Sequence, residues 1–167
     1  MDPLDGTASW SDFARSAPGL AAVVRARLES AEHHVLATLR ADGSPRVNGT
    51  NVLWDGDDLM VGCMPGTRRA ADLGRDPRCA LHTAPDLPTL PEGDARLECV
   101  AVQCSADDAA AVLARTGGDG SGQDDGAPEG DLFALRLRSV STVKVVDEHL
   151  ELQVWTPTTG LRHVERS

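Results

Sequence analysis

The sequence predicts an α+β domain in which six or seven antiparallel strands form a small β-barrel accompanied by a few short helices. Short segments in which apolar and polar residues alternate recur along the chain, and Gly, Asp and Pro residues separate them. A few shorter stretches carry the spacing of apolar residues that is typical of helices. A chain of 167 residues is the size of one domain, so residues 1–167 are treated as a single unit.

The N-terminal part, residues 1–30, is expected to be helical before the sheet begins. Ser16 is a candidate N-cap, Pro18 suits the first turn, and apolar residues follow at helical spacing, namely Leu20, Val23, Val24 and Leu28. The pattern then changes to that of strands at "HVLATLR" and "RVNGTNVLW", with Asp42-Gly43 at the turn between them. A third segment, "LMVGCM", completes an antiparallel meander.

The rest of the chain continues the sheet with two more helices. One helix is predicted from Thr67, its cap, to about Gly74, and another follows a cap at Ser105. Strands are predicted at "RCALHTA", "ARLECVAVQC", "LFALRLRSVSTVKVV" and "LELQVWT". Residues 116–130 are rich in Gly and Asp, which predicts a flexible surface loop.

The charge balance limits the partners of this chain. A formal net charge of −10 argues against nucleic acid and against an anionic membrane surface, because both favour clustered Lys and Arg. No apolar run approaches the roughly 20 residues that cross a bilayer, and the N-terminus lacks the layout of a signal peptide. We therefore expect a cytoplasmic protein.

The four cysteines, Cys63, Cys79, Cys99 and Cys104, do not predict a metal site. No two of them form a C-x-x-C pair, and the odd spacing of the last two places them on opposite faces of one strand. Reduced, buried thiols are the expected state. No Ser-His-Asp or Cys-His triad with supporting context is visible either.

Two adjacent arginines, Arg68 and Arg69, stand at the start of the helix that Thr67 caps. Cations are unfavourable at a helix N-terminus, where the backbone N–H groups and the helix dipole favour anions. A bound phosphate would account for this placement, because guanidinium groups grip phosphate oxygens. The alternative is that both arginines pair with nearby acids such as Asp72 and Asp76.

Three blocks of the sequence resemble the pyridoxamine 5′-phosphate oxidase-like superfamily of flavin-binding split β-barrels. They are "VLATLRADGSPRV", "LMVGCMPGTRRAADLGRDPRCALH" and "LQVWTPTTGLRHVER", and they occur in the family's order over nearly the whole chain. The resemblance implies a homodimer that binds FMN at the subunit interface. It also implies hydride or electron transfer to or from a small organic substrate.

The resemblance assigns roles to individual residues. The flavin phosphate would be held by Arg68 and Arg69, with Thr67 in the family's Ser position. The second strand would place Arg46, Thr50 and Asn51 beside the flavin, and Asn51 stands where true oxidases have a lysine. The end of the third strand would line the ring through Gly62, Cys63 and Met64.

The late block of the sequence resembles the part of the oxidases that holds the substrate. Trp155, Arg162 and His163 are the nearest matches to the oxidase pattern, although the family's intervening residue between Arg and His is missing. For Trp155, plain core packing is the alternative to a role as an aromatic lid.

Two further interpretations of the resemblance remain open. Relatives from GC-rich bacteria often use the deazaflavin coenzyme, which would keep the fold and change the cofactor. A protein that binds flavin or haem without turnover is the other alternative, because Asn51 and the altered late block depart from the oxidases.

Overall fold

The structure is a computed structural model that describes residues 2–84, 93–116, 130–147 and 149–166. The helices in these ranges are α1 (Trp10–Ser16), α2 (Pro18–Glu29), α3 (Arg68–Arg75) and α4 (Ala106–Thr116). The strands are β1 (His34–Leu39), β2 (Pro45–Thr50), β3 (Val52–Asp55), β4 (Asp58–Cys63), β5 (Arg78–His82), β6 (Asp94–Gln103), β7 (Asp131–Val146), β8 (His149–Thr156) and β9 (Gly160–Arg166). The loop predicted over residues 116–130 lies outside the described residues except at its two ends.

All the strands belong to one antiparallel sheet. Its main path runs β2-β1-β5-β6-β7-β4-β3, and β8 and β9 extend it from the second half of β7. Strand β7 is 16 residues long, and it pairs with β4 through residues 131–134 and with β8 through residues 140–146. The change of partner along this one strand separates the barrel from the projecting β8–β9 hairpin.

The barrel is split at Asn51. Strands β2 and β3 are consecutive in the chain, yet they form opposite ends of the main path, since β2 pairs with β1 and β3 pairs with β4. The barrel is therefore closed at this point only by the covalent chain, because β2 and β3 form no hydrogen-bond ladder with each other. The α+β split-barrel class is confirmed.

Two details of the strand prediction are wrong. "RVNGTNVLW" is two strands, because its two halves find different neighbours on either side of Asn51. The final strand, β9, was not predicted at all, and it follows a turn in which Gly160 has a φ of 67°. The described residues therefore contain nine strands instead of six or seven.

The N-terminal helices also differ from expectation at Ser16. A capping box starts α1, in which Ser9 and Asp12 satisfy each other's backbone N–H groups. Ser16 ends this helix, and its hydroxyl donates to the carbonyl of Phe13 at 3.1 Å instead of capping α2. Helix α2 starts at Pro18 without a side-chain cap.

An aromatic cluster connects α1 to the barrel. Phe13 packs on Trp155 with ring centroids 4.7 Å apart, and Trp10 meets Trp54 edge-on at 4.8 Å. Phe13 and Trp155 are almost completely buried. Because these rings come from α1, β3 and β8, the cluster fixes the N-terminal segment and the turn end of the β8–β9 hairpin against one core.

The longest helix among the described residues, α2, has 12 residues, and none of the helices there combines the length and apolar character of a membrane span.

Candidate functional site

Four arginine side chains line an open groove of about 330 Å³ between helix α3 and the hairpin of β1 and β2. The helix contributes residues at positions i, i+3, i+4 and i+7, which share one helical face: Arg68, Ala71, Asp72 and Arg75. The hairpin contributes Arg40, Ala41, Asp42 and Arg46. The groove is therefore formed by two neighbouring elements that the sequence specifies locally.

Helix α3 begins where the sequence predicts. The hydroxyl of Thr67 accepts the backbone N–H of Ala70 at 3.3 Å, which is the expected N-cap hydrogen bond. The helix ends at Arg75, one residue beyond the predicted end at Gly74. The cap places Arg68 in the first turn, beside the groove.

The tip of the β1–β2 hairpin forms the side of the groove that faces helix α3. Gly43 adopts a φ of 81°, which the turn requires, and its N–H donates to the carbonyl of Arg40 at 2.9 Å. Asp42 accepts the backbone N–H of Ser44 at 2.9 Å and its hydroxyl at 2.6 Å. These hydrogen bonds lower the pKa of Asp42, so its carboxylate is ionised at neutral pH.

The groove reverses the sign of the chain's overall charge. Its lining contains four guanidinium groups and two carboxylates, which leaves a net charge of +2 in a chain whose formal charge is −10. A local positive concavity of this kind attracts anions, and arginine in particular suits phosphate and carboxylate groups.

Asp72 organises two of these arginines from the buried side of the groove. Its side chain is 5% exposed, and its Oδ2 lies 2.5 Å from Nε of Arg46. Oδ1 lies 3.2 Å from Nη2 of Arg75, and the hydroxyl of Thr38 donates to Oδ2 at 3.2 Å. The hydrogen bond from Arg46 is the main cause that lowers the pKa of Asp72, against the effect of burial.

Arg68 is exposed in the groove and makes no hydrogen bond or ion pair with any of the residues that the structure describes. The alternative in which Asp72 and Asp76 pair with the two adjacent arginines is wrong. Asp72 binds other arginines, as described above, and Asp76 pairs with Arg78 at 2.6 Å, which lowers the pKa of Asp76 to about 2. The guanidinium of Arg68 is therefore available to a ligand.

Arg69 points away from Arg68 and bridges the split in the barrel. Its Nη1 donates to the carbonyl of Gly49 in β2 at 3.0 Å, and its Nη2 donates to the carbonyl of Gly62 in β4 at 2.6 Å. Its Nε lies 3.3 Å from Sγ of Cys63. Strands β2 and β4 are not neighbours in the sheet, so this one side chain joins two strands that share no ladder. We refer to these contacts as the Arg69 bridge.

The residues expected around a flavin ring lie near this bridge. Thr50 is buried, whereas Asn51 is exposed and its Oδ1 contacts Nδ1 of His33 at 2.6 Å. Cys63 is buried, which raises the pKa of its thiol in spite of Arg69. Met64, in contrast, is 76% exposed at the end of β4. The side chain of Asn51 therefore already has a protein partner.

The late block does not reach the groove. Trp155 is 2% exposed, and its indole N–H donates to the hydroxyl of Ser16 at 2.8 Å, an environment that matches the packing alternative. Arg162 and His163 are exposed on β9, where they pair with Val154 and Gln153 of β8. Among the described residues, none that lines the groove belongs to β8 or β9.

Sequence reasoning missed three charged residues of the groove and one residue behind it. Arg40, Asp72 and Arg75 were not assigned to the site, although the helical spacing of Arg68 to Asp72 and Arg75 was a usable signal. Thr38, which donates to Asp72, was missed as well. Thr38 could not be found this way, because its contact with Asp72 spans 34 positions in the sequence.

Two histidines outside the groove have structural partners. His34 is buried, with its Nε2 2.9 Å from the carbonyl of Leu28 and its Nδ1 accepting the N–H of Ala84. His82 lies 3.0 Å from Asp94. No group of three or more His, Cys, Asp or Glu side chains suitable for a metal occurs in the part of the chain that the structure describes.

The fold and the groove define a split-barrel protein with an arginine-lined site beside helix α3. The model of the pyridoxamine 5′-phosphate oxidase family matches residues 20–144. The match spans most of the chain, including the whole groove, and the chain belongs to this family. A search among curated proteins gave no match.

Solved structures of similar fold belong to proteins described with different functions. A putative pyridoxamine 5′-phosphate oxidase from Listeria innocua is 15% identical with a TM-score of 0.58, over 70% of this chain and 92% of its own. An F420 reductase is 20% identical with a TM-score of 0.54, over 70% and 94%. HutZ, a haem storage protein from Vibrio cholerae, is 20% identical with a TM-score of 0.55, over 71% and 89%. At these identities the likeness shows the fold alone.

Proposed function

We propose that this protein is an FMN-binding oxidoreductase whose groove holds the flavin phosphate. The observation that carries the proposal is the pair of arginines with free donors: Arg68 has no partner among the described residues, and Arg46 uses only its Nε there. Two guanidinium groups facing one concave surface suit a phosphate dianion. The net charge of +2 of the lining matches such a ligand.

The residues present fit this cofactor at the phosphate end. Arg46 and Arg68 would contact phosphate oxygens, and Arg40 and Arg75 would add positive charge from the rim. The exposed position of Arg68 in the first turn of α3 also places the helix N-terminus beside the site. In this proposal Arg69 has a structural task, because its donors already serve Gly49, Gly62 and Cys63.

The ring of the flavin would lie along the ends of β2 and β4, beside Thr50, Asn51, Gly62, Cys63 and Met64. The high exposure of Met64 leaves an apolar side chain available to cover a ring or a second subunit. We place this ring site at the interface of a homodimer and keep Arg162 and His163, exposed on β9, on the substrate side. Trp155 is assigned to the core.

When bound, FMN would supply the hydride or electron-pair chemistry, and the substrate would be a small organic molecule. The tasks of the protein's own residues are then to bind and orient. Arg46 and Arg68 fix one end of the cofactor, and the buried thiol of Cys63 presents a largely neutral group near the other. No acid or base from this chain needs to be assigned to the reaction.

Two alternatives follow from particular observations. Asn51 stands in the family's lysine position, and its side-chain oxygen already contacts His33. This departure from the oxidases favours a protein that binds flavin or haem without turnover. The fold shared with an F420 reductase supports a deazaflavin coenzyme instead of FMN. That coenzyme's longer acidic tail needs cationic groups beyond the groove.

The visible absorption spectrum of the full-length protein tests the proposal. The apo protein is titrated with FMN, riboflavin, deazaflavin coenzyme and haem, and binding is followed by the spectral change. The proposal expects tight FMN binding, weaker riboflavin binding, and loss of the FMN preference in Arg68→Ala. Arg138→Gln is the matched control, because it removes one exposed charge on β7, away from the groove.

Equal affinity for FMN and riboflavin would refute the phosphate site. If the protein binds haem or the deazaflavin coenzyme more tightly than FMN, that compound is its cofactor and the FMN assignment is refuted. Steady-state oxidation of the reduced protein, with and without candidate substrates, then separates an enzyme from a binding protein, because a binding protein shows occupancy without turnover.

A further inference from the structure

A buried carboxylate, that of Asp72, forms part of the lining of the groove. The residue as a whole is 3% exposed, and it lines the same surface as Arg46 and Arg68. Its negative charge cancels part of the positive charge that would attract a phosphate. A residue that served only to balance charge could sit outside the groove, so the position of Asp72 calls for another explanation.

The contacts of Asp72 are directional. Oδ2 faces Nε of Arg46 at 2.5 Å, and the hydroxyl of Thr38, itself buried, donates to the same oxygen at 3.2 Å. Oδ1 faces Arg75 at 3.2 Å. Three donors from β1, β2 and α3 therefore fix both oxygens, and the carboxylate cannot rotate without losing at least one of them.

These contacts fix the orientation of the Arg46 side chain. Its side chain is 18% exposed, and the Nε that faces inward is occupied by Asp72. Its Nη1 and Nη2 make no hydrogen bond with the residues that the structure describes, and they belong to a guanidinium that lines the groove. Because the guanidinium is planar and rigid, fixing Nε fixes the direction of both Nη groups.

We propose that Asp72 is a positioning residue that orients Arg46 toward the phosphate of the bound ligand. This inference rests on the proposed function, since it requires a phosphate in the groove. Asp72 does not touch the ligand. Its contribution is to hold a flexible, long side chain in its binding conformation before the ligand arrives, which lowers the entropy lost on binding.

The inference predicts the opposite of what charge alone predicts. Asp72→Asn removes one negative charge and raises the net charge of the groove from +2 to +3. If only charge mattered, the variant would bind FMN more tightly. If positioning matters, it binds FMN about tenfold more weakly, which corresponds to the loss of one good charge-assisted hydrogen bond.

The ratio of riboflavin to FMN dissociation constants isolates the phosphate contribution, since the two ligands differ only in that group. We compare this ratio in the wild type, Asp72→Asn and Asp72→Glu. Asp72→Glu keeps the charge but moves the carboxylate by one methylene, so charge alone predicts no change. We expect both variants to lower the FMN preference by about tenfold, while riboflavin affinity stays at the wild-type value.

A spectroscopic measurement tests the orientation without any ligand. The Nε–H of Arg46 should give a protected signal in the ¹H–¹⁵N spectrum of the wild type, because it is hydrogen-bonded to a buried carboxylate. The signal is assigned by its absence in Arg46→Lys. We expect it to broaden or disappear in both Asp72 variants, while the backbone signals of β1 and β2 remain.

If the Asp72 variants do not fold, Thr38→Val replaces them. It removes one of the three donors to Asp72, keeps the charge of the groove and nearly keeps the volume of the side chain. We expect the preference for FMN over riboflavin to fall by about threefold, because only one of the three hydrogen bonds that fix Asp72 is lost. The affinity for riboflavin should not change. An unchanged FMN preference in Thr38→Val would then overturn the inference.

The failure of this inference is distinguishable from failure of the proposed function. A wild-type protein that does not prefer FMN to riboflavin overturns the phosphate site, and the inference falls with it. A wild type that prefers FMN, with equal or greater preference in Asp72→Asn, leaves the phosphate site standing and overturns the role of Asp72 alone.

Discussion

The two adjacent arginines of helix α3 should differ sharply when each is replaced by alanine. Arg69 donates three hydrogen bonds that join β2 to β4, whereas Arg68 donates none to the described residues. The bond to the partly buried carbonyl of Gly62 comes from a charged donor and contributes about 1.5–3 kcal/mol. The exposed bond to Gly49 and the contact with the sulfur of Cys63 add about 0.5–1 kcal/mol together.

Arg69→Ala should therefore lower the free energy of unfolding by about 2–4 kcal/mol. For a chain of this size each kcal/mol shifts the melting temperature by about 2–4 °C, so the expected decrease is roughly 5–15 °C. Arg68→Ala, an exposed substitution, should change the free energy of unfolding by less than about 0.5 kcal/mol and should remove FMN preference instead. Thermal and urea unfolding of the apo proteins measures the first effect, and flavin titration measures the second.

One result would refute this reasoning directly. This would be an Arg69→Ala variant that has the melting temperature of the wild type and loses FMN binding as Arg68→Ala does. In that case both arginines bind the ligand, and the Arg69 bridge does not stabilise the fold. Arg69→Lys adds a further check, because an ammonium group cannot reach all three acceptors at once. Its stability should fall between those of the wild type and Arg69→Ala.

Three other predictions concern the core, two glycines and a buried histidine. Trp155→Phe should lower the free energy of unfolding by about 2 kcal/mol through lost volume and the lost bond to Ser16, without changing FMN affinity. Gly93→Ala should lower the free energy of unfolding by at least about 3 kcal/mol, since the φ of Gly93 is 71° and a Cβ would lie 1.9 Å from a backbone oxygen. Gly43→Ala should lower it by about 1 kcal/mol, because Gly43 has a φ of 81° but open space around it. Burial lowers the pKa of His34 below its ordinary value of 6.5, so stability should fall as pH drops below 6.5, because the unfolded chain takes up the proton first.

Each of these predictions has its own control. Ser16→Ala should cost only about 1 kcal/mol, and a large loss of flavin in Trp155→Phe would revive the role of that residue as a lid. Equal stabilities of the two glycine variants, measured by urea unfolding, would show that the backbone at Gly93 relaxes. For His34, urea unfolding is repeated between neutral and mildly acidic pH, and an unchanged slope in His34→Gln would assign the pH dependence elsewhere.

The sequence predicted well those parts of the site that depend on near neighbours. Thr67 and the arginines after it mark the start of α3, and Asp42-Gly43 marks the hairpin turn that forms the other wall. Capping residues and positive-φ glycines act within a few positions, so their effect can be derived from a short segment. The relative placement of α3 and the hairpin came from the family resemblance.

The parts that failed depend on contacts between distant segments. Nothing local shows that Asn51 interrupts a strand, because the interruption exists only when the two halves have different neighbours. The different directions of Arg68 and Arg69 follow from the 100° between consecutive helical residues, but which one meets the barrel depends on how α3 packs. The alternative in which Asp72 and Asp76 pair with Arg68 and Arg69 failed for the same reason, because the arginines that these acids meet are set by the packing of α3 and by the turn after it.

The sign reversal at the groove has a kinetic consequence for any anionic ligand. At low ionic strength, where the Debye length reaches about 30 Å at 0.01 M salt, a chain of formal charge −10 repels an approaching anion before it reaches the groove. Inside the groove it meets a net charge of +2. Added salt should therefore speed up association by screening the long-range repulsion, and it should speed up dissociation by weakening the short-range attraction. In dilute salt an acidic protein with a basic site is thus slow both to capture its anion and to release it.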